Sequence, residues 1–130
     1  MASQKKRIMY FNRRAPYGTA YALEALDVVL AGAVFEQEVS VVFVDDGVYQ
    51  LKRGQNPSVL NMKDFSKTFG ALPDFDVMHL YVEQESLAKR GLTVQDLIEV
   101  PRRDDTDAVT PISSADLSVL MDRQDVVLQF

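Results

Sequence analysis

The fold-deciding stretch lies between residues 41 and 51 and reads Val41-Val42-Phe43-Val44-Asp45-Asp46-Gly47-Val48-Tyr49-Gln50-Leu51. Four apolar residues are followed at once by an acidic glycine turn and then by an amphipathic segment. A short, continuous apolar run that stops at a turn is typical of a parallel strand buried on both faces. The residues after Gly47 predict one or two helical turns, and Asp45 or Asp46 is expected to cap them.

Other apolar runs of this kind recur along the chain. They predict strands over residues 8–11, 39–44, 77–82 and 126–130, and the weaker run at 97–100 is predicted as the fourth strand of the five. Helical patterns separate them, over residues 19–35, 62–69 and 83–90 and from a Ser113 cap to about residue 123. Residues 101–111 are predicted to form a mobile polar loop. Strands that alternate with helices predict right-handed βαβ units in a three-layer α/β sandwich.

Composition excludes several classes of function. The 130 residues predict one domain, and a net charge of −5 with a pI near 4.8 disfavours binding to nucleic-acid phosphates or to an anionic membrane. No segment approaches the ~20 apolar residues that span a bilayer. The sequence contains no cysteine, so it has no disulfide, thiolate metal site or thiol nucleophile. A cytoplasmic protein without metal or cofactor is expected.

The helix predicted over residues 19–35 is apolar almost all round. Its charged residues before the final turn, Glu24 and Asp27, lie three apart and share one narrow face. A helix with so little polar surface indicates packing against the sheet and also against another subunit. Burial beneath a neighbouring helix and loop of the same chain is the alternative.

Acidic and basic residues at strand ends are candidates for binding. Asp45 and Asp46 follow the second strand, where paired carboxylates can hold Mg²⁺, although capping of the next helix is the favoured interpretation. The order of acids does not fit a phosphate-receiver domain. Arg13 and Arg14 follow the first strand in a loop with one glycine and no phosphate-loop pattern. They can pair with an anionic ligand or with an acidic partner, and a solvated or subunit-ordered loop is the favoured alternative.

His79 is the only histidine, and it lies in the third predicted strand on the same face as Val77 and Tyr81 by alternation. With no cysteine and no second histidine, a metal site or a histidine-activated nucleophile is not expected. His79 is predicted to be a hydrogen-bonded strand residue.

Several short motifs occur in a recognisable order and spacing, namely Ala15-Pro16-Tyr17-Gly18-Thr19, Asp46-Gly47-Val48, Gly54-Gln55 and Arg90-Gly91-Leu92. With them the chain resembles the DsrE/DsrF/DsrH (TusBCD) sulfur-relay family, and the DsrF/TusC-type subunit in particular. The resemblance implies a mostly parallel five-stranded sheet. It also implies a cytoplasmic heterohexamer with two copies each of three subunits, this chain joining a DsrE/TusD-like persulfide carrier and a DsrH/TusB-like subunit.

The resemblance also locates a key position. DsrE/TusD-type carriers have a cysteine eight residues before the glycine of an Arg-Gly pair, and here that position is Glu83. A carboxylate cannot form a persulfide, so Glu83 and Glu85 are interpreted as helix-start acids, with a gating or docking role for Glu83 left open. The chain is therefore expected to be a non-catalytic subunit. Its candidate interface or loop residues are Arg13, Arg14, Pro16, Tyr17, Gly18, Asp45, Asp46, Gly47 and Tyr49.

The family serves either dissimilatory sulfur oxidation or 2-thiolation of the tRNA wobble uridine, and the residues from 81 to 87 favour sulfur oxidation. Two alternatives of other classes remain. One is a stand-alone flavodoxin-like enzyme or module that binds a nucleotide or phosphate through the loops at residues 12–19 and 45–47. The other is a homo-oligomeric regulatory protein.

Overall fold

A five-stranded parallel sheet forms the centre of the molecule. The computed structural model describes residues 6–13, 38–52, 72–75 and 77–129. The strands are β1 (Arg7–Asn12), β2 (Glu38–Phe43), β3 (His79–Glu83), β4 (Val109–Ile112) and β5 (Val126–Gln129). They lie in the order β4-β3-β2-β1-β5, and every neighbouring pair is parallel.

Both faces of the sheet are buried, which explains why the strands are apolar throughout. In β1, Ile8 and Tyr10 belong to one hydrophobic cluster, whereas Met9 and Phe11 belong to a second cluster on the opposite face. Successive side chains of a strand point to opposite faces, so a strand covered on both sides needs apolar residues at every position. The predictions for β1, β2, β3 and β5 are confirmed to within two residues at each end.

Helices cover each face. The described α-helices are α1 (Gln84–Lys89) and α2 (Ser114–Asp122), and 3-10 helices span Asp45–Leu51, Leu72–Phe75 and Val94–Asp96. Leu87 of α1 packs in the first cluster with Val48, whereas Leu117 of α2 packs in the second cluster. The predicted three-layer α/β/α sandwich is therefore confirmed.

Local sequence signals set the helix ends. The Ser113 hydroxyl accepts a hydrogen bond from the Asp116 N–H at 3.1 Å, as a serine N-cap does. After α1 the chain turns at Gly91, whose φ of +67° lies in the left-handed region. Both features agree with the prediction, as do the helical turns after Gly47.

The predicted fourth strand is wrong. Residues 97–100 form no strand, and Leu97 makes only an isolated antiparallel bridge with Lys52. Leu97 and Val100 are nevertheless fully buried in the first cluster, so the run is apolar because it fills the core and not because it joins the sheet. The true β4 is the edge strand Val109–Ile112, which contains Pro111. Proline is tolerated at a sheet edge, and Pro111 therefore belongs to β4 and not to the loop predicted over residues 101–111.

The segment before β4 is also more ordered than predicted. An antiparallel bridge joins Pro101 to Asp107, and the Arg102 Nε atom donates to the Met78 carbonyl at 2.7 Å. Asp104 accepts hydrogen bonds from both the N–H and the hydroxyl of Thr106. These contacts close a tight turn, which does not fit the expected mobile loop.

The helices predicted over residues 19–35 and 62–69 lie outside the described residues, and with them the inference of a subunit contact for the first of these helices. Within the described ranges, none of the helices combines the length and apolar character required to cross a bilayer.

Candidate functional site

The ends of four strands bring the polar residues of the predicted site together. Because parallel strands run in the same direction, the residues that follow β1, β2, β3 and β4 meet at one edge of the sheet. Arg13, Asp45, Glu83 and Ser114 occupy these positions. We call this group, with the α1 residues Ser86 and Arg90 and with Asp46, the carboxyl-end network.

Glu83 lies at the centre of the carboxyl-end network, and both of its carboxylate oxygens are engaged. The Ser86 hydroxyl donates to Oε1 at 2.5 Å, and the Ser114 hydroxyl donates to Oε2 at 3.0 Å. One serine belongs to α1 and the other to the first turn of α2. The side chain of Glu83 therefore links the starts of two helices on opposite faces of the sheet.

Ser86 extends this link to the acidic turn after β2. Its hydroxyl is 2% exposed and accepts a hydrogen bond from the Asp45 N–H at 2.9 Å while donating to Glu83. Asp45 has a φ of +51°, in the left-handed region that non-glycine residues seldom occupy. The serine hydroxyl thus helps to hold an unusual backbone conformation at the strand end.

Two arginines neutralise the acidic turn. Arg13 pairs with Asp45 at 2.9 Å and lies over the ring of Phe11, while the Arg90 guanidinium contacts Asp46 Oδ1 at 3.0 Å and donates to the Ser86 carbonyl at 3.1 Å. The capping role predicted for these aspartates is wrong. The N-cap of the 3-10 helix is Val44, and no side chain caps it. Asp45 and Asp46 form ion pairs with Arg13 and Arg90 instead.

Gly47 allows β1 and the acidic turn to pack against each other. A Cβ atom at this position would lie 1.9 Å from the main-chain oxygen of Asn12. The same oxygen accepts a hydrogen bond from the Val44 N–H at 3.0 Å. Tyr49 is half-buried in the following 3-10 helix. The glycine is therefore required by a close backbone approach and not by a special φ angle.

Glu85 lies in the first turn of α1 and also contacts the neighbouring helix α2. Its Oε2 atom accepts a hydrogen bond from the Ser114 N–H at 2.8 Å, in the first turn of α2. The side chain and the main chain of Ser114 both favour the charged carboxylate, so the pKa of Glu85 is lowered. The prediction that Glu83 and Glu85 are acids at the start of α1 is confirmed, and the hydrogen bond of Glu85 also serves the start of α2.

His79 lies at the opposite end of β3, away from the carboxyl-end network. Arg102 Nη2 lies 3.2 Å from His79 Nδ1, and the imidazole stacks on the Tyr81 ring at 5.4 Å. The predicted hydrogen-bonded strand histidine is confirmed. Its placement on one face with Val77 is wrong, because Val77 precedes the strand and packs into the first cluster.

The chemistry of the carboxyl-end network is that of a fixed hydrogen-bonded edge. Among the described residues no group of three His, Cys, Asp or Glu side chains is arranged to hold a metal ion. The buried Oδ1 atom of Asn12 has no hydrogen-bond partner within the described part of the chain. Arg14, Pro16, Tyr17 and Gly18 of the predicted site also lie outside them.

Sequence reasoning located Glu83 but missed Ser86 and Ser114 as its partners. The Ser113-Ser114 pair before a helical pattern was visible, but a fourth strand placed at residues 97–100 puts α2 in the wrong relation to β3. Correct placement of β4 next to β3 would have brought Ser114 to Glu83.

The architecture and the carboxyl-end network define a three-layer α/β protein with a parallel sheet and a polar edge that contains no cysteine. The family model described as DsrE/DsrF-like family matches residues 6–130, and the chain belongs to that family. Among relatives, it is 49% identical to the intracellular sulfur oxidation protein DsrF of Allochromatium vinosum, with 100% of both chains covered. It is 42% identical to the protein TusC homolog of Pseudomonas aeruginosa, which covers 69% of this chain and 76% of that protein.

Solved structures agree on the fold. The ychN protein of E. coli superposes with a TM-score of 0.78 at 22% identity, over 98% of this chain and 100% of the other. MTH1491 of Methanobacterium thermoautotrophicum, a protein of unknown function, gives a TM-score of 0.60 at 15% identity with the same coverage. At these identities the likeness concerns the fold alone. The predicted family and its DsrF/TusC type are confirmed by the sequence comparisons.

Proposed function

We propose that the chain is a cysteine-less, non-catalytic subunit of an intracellular sulfur-relay complex. Support comes from its similarity to proteins named DsrF and TusC homolog, which extends over the full chain in the first case. The transferred sulfur would be carried by a persulfide on a related subunit. This chain would shape the subunit interfaces and shield the sulfur from water and from stray thiols.

The observation that carries the proposal is the state of Glu83. The position that resembles the carrier cysteine holds a carboxylate whose two oxygens are engaged by Ser86 and Ser114. A carboxylate has no sulfur chemistry, and one held by two serines is suited to fixing the strand end in place. The sequence contains no cysteine, so no thiol elsewhere in the chain can carry the sulfur.

The partners in this proposal are a DsrE/TusD-like persulfide carrier and a DsrH/TusB-like subunit, with two copies of each of the three chains in a cytoplasmic complex. The chain contacts neither nucleic acid nor membrane in this arrangement. The exposed acidic turn at Asp45 and Asp46, with its two arginines, is one polar surface available to a partner. Charged rims of this type set the register and the on-rate of association more than its strength.

Sulfur oxidation is the pathway we favour over tRNA thiolation. The match to the sulfur oxidation protein DsrF is both closer and longer than the matches to TusC homologs. The protein of Vibrio vulnificus, for example, is 39% identical over 71% of this chain.

The test is to load the intact complex with persulfide and to weigh each chain. Co-expression with the neighbouring family genes is expected to give a complex of three related chains, and only a partner should gain the mass of a sulfur atom. A Glu83→Cys variant is the matched positive control, because it has a single thiol at the same position. Sulfur on the wild-type chain, or a lone monomer after co-expression, would contradict the proposal.

A ligand panel separates the proposal from the flavodoxin-like alternative. Thermal unfolding of the chain is measured with nucleotides and FMN, and a subunit of the proposed kind is expected to show no change in Tm with them. A rise in Tm that saturates with one of these ligands would support the nucleotide-binding alternative instead.

A further inference from the structure

A second polar feature lies at the opposite edge of the sheet. A cavity of about 240 Å³ opens between the amino ends of β1, β2 and β3 and the last turn of α2. We call it the amino-end bay. The residues that line it and bear on its chemistry are Arg7, Glu38, Ser40, His79, Tyr81 and Arg123. Its volume lies below the range typical of drug-sized ligands, so it suits a ligand of few heavy atoms.

The residues that line the amino-end bay include two arginines and one carboxylate, in an acidic protein. Arg7 pairs with Glu38 at 3.4 Å, which leaves the second lining arginine, Arg123, as the excess cation. Across the described part of the chain, no carboxylate forms an ion pair with Arg123. The whole chain has a net charge of −5, so the positive character belongs to this site and not to the surface in general.

His79 presents a hydrogen-bond donor rather than an acceptor. Its Nδ1 atom faces the Arg102 guanidinium at 3.2 Å, and a guanidinium can only donate. In the neutral ring the proton must therefore be on Nε2. The pKa of His79 is lowered, first by burial and then by the charge of Arg102, while Glu38 acts in the opposite direction. The ring is thus a neutral N–H donor near pH 7, held flat against Tyr81.

Ser40 adds an unused polar group. It lines the amino-end bay, yet its hydroxyl oxygen is buried and has no hydrogen-bond partner among the described residues. Leaving a buried polar group unpaired is costly, so such a group is usually satisfied by an ordered water, an ion or a ligand. A small ligand or an ordered water in the amino-end bay would satisfy the Ser40 hydroxyl.

We propose that the amino-end bay binds a small oxyanion of the phosphate or sulfate class. Such an ion fits the volume and balances the charge of Arg123. It also accepts hydrogen bonds from the donors that surround the cavity. This site is independent of the proposed sulfur-relay role, because Glu83 and its serines lie at the other edge of the sheet, so either proposal can fail without the other.

The only histidine of the chain gives a direct probe. If this chain alone is labelled with isotopic histidine before assembly, NMR shows a single imidazole signal, that of His79, even in the intact complex. Inorganic phosphate and sulfate are titrated against chloride at equal ionic strength. Both oxyanions are expected to shift the signal in a saturable way with a millimolar or tighter Kd, whereas chloride should not. An equal effect of chloride, or a shift without saturation, would overturn the proposal.

A charge-removing variant and its control locate the site. Arg123→Gln removes an exposed side chain and is expected to weaken oxyanion binding about tenfold, as for loss of one charge-assisted contact. Lys89→Gln is the matched control, since it removes the same charge at the end of α1 and should leave the Kd unchanged. Equal Kd values for Arg123→Gln and the wild type would contradict the proposal.

Ser40→Ala separates binding from folding. It is expected to weaken binding severalfold while leaving the Tm without oxyanion unchanged or raised, because no described residue forms a hydrogen bond with the hydroxyl. A lowered Tm without oxyanion, together with unchanged binding, would show that Ser40 serves the fold and would overturn its assignment to the site.

Discussion

The two edges of the sheet differ in how far their polar side chains are paired within the chain. At the carboxyl ends of the strands, Glu83, Asp45 and Asp46 are each held by a serine hydroxyl or an arginine. At the amino ends, the lining residues include Arg123 and the hydroxyl of Ser40, which has no hydrogen-bond partner among the described residues. The acidic side chains of the first edge are engaged in internal contacts, although the buried Asn12 Oδ1 atom there also has no partner in the described ranges. At the second edge, Arg123 and Ser40 are the groups that the proposed oxyanion would contact.

The proposed oxyanion site lies at the edge opposite to the one usual in open α/β sheets, whose ligands bind at the carboxyl ends of the strands. Here the carboxyl ends hold the position that resembles a carrier cysteine, and the chain uses it for a structural hydrogen-bond network. In the proposed role, this family position keeps its place in the fold while its chemistry changes from sulfur transfer to structural support.

Gly47→Ala is expected to cause the largest loss of stability at the carboxyl ends of the strands. A Cβ atom 1.9 Å from the Asn12 oxygen collides with main chain, which cannot move aside as a flexible side chain can. We expect a loss of about 3 kcal/mol in the free energy of unfolding, measured by urea denaturation. Gly91→Ala is the control, because a Cβ there meets no atom within 4 Å and only its φ of +67° is strained. It should cost about 1 kcal/mol. Equal losses in the two variants would refute the role given to backbone contact.

Glu83→Ala tests whether the carboxylate is structural. Its removal leaves the hydroxyls of Ser86 and Ser114 without their acceptor, and we expect a loss of about 2 kcal/mol in unfolding free energy. Asp122→Ala, at an exposed position in α2, should change the stability little. If both variants were equally stable, the network would not hold the edge together.

Arg13→Gln measures the weaker, outer part of the same edge. The ion pair of Arg13 with Asp45 is exposed on both sides, so its loss should cost about 0.5 kcal/mol. The effect should shrink further as salt is added, because exposed charges are screened. Chemical denaturation with urea at low and high salt gives the comparison. A loss that is large and independent of salt would mean that this pair is a core element of the network.

The smallest expected effect is the change of stability with pH that is due to His79, at the amino ends of the strands. Because its folded-state pKa is lowered, the unfolded chain takes up a proton first, and stability falls slightly as the pH decreases from about 6.5 toward the folded pKa. Arg102→Gln removes one cause of the shift and should raise the His79 pKa, as followed by its imidazole signal. Arg103→Gln, one residue further, should leave the pKa nearly unchanged. An equal rise in both variants would exclude a specific effect of Arg102.

The sequence predicted most of the sheet because burial on both faces makes a strand apolar throughout. It failed at β4, where an edge strand of four residues contains Pro111 and a polar residue, Thr110. Leu97 and Val100 imitate a strand because the core needs apolar side chains even where the backbone is irregular. Periodicity reports burial and cannot by itself tell which buried segment joins the ladder.

The sites were predictable to different degrees. The resemblance located Glu83, but Ser114 reaches it across 31 positions of chain, and no local pattern records such a pairing. The amino-end bay was not predicted at all, because Arg7, Ser40 and Arg123 are distant in sequence and each is ordinary in its own segment. The register of the parallel strands brings Arg7 and Ser40 to one place, and the end of α2 adds Arg123.

The proline of β4 also restricts how the protein can polymerise. Pro111 has no N–H group, so a foreign strand approaching this side of the sheet meets a border four residues long in which one position cannot donate. Growth of the sheet into a continuous ribbon or fibril is therefore discouraged at β4.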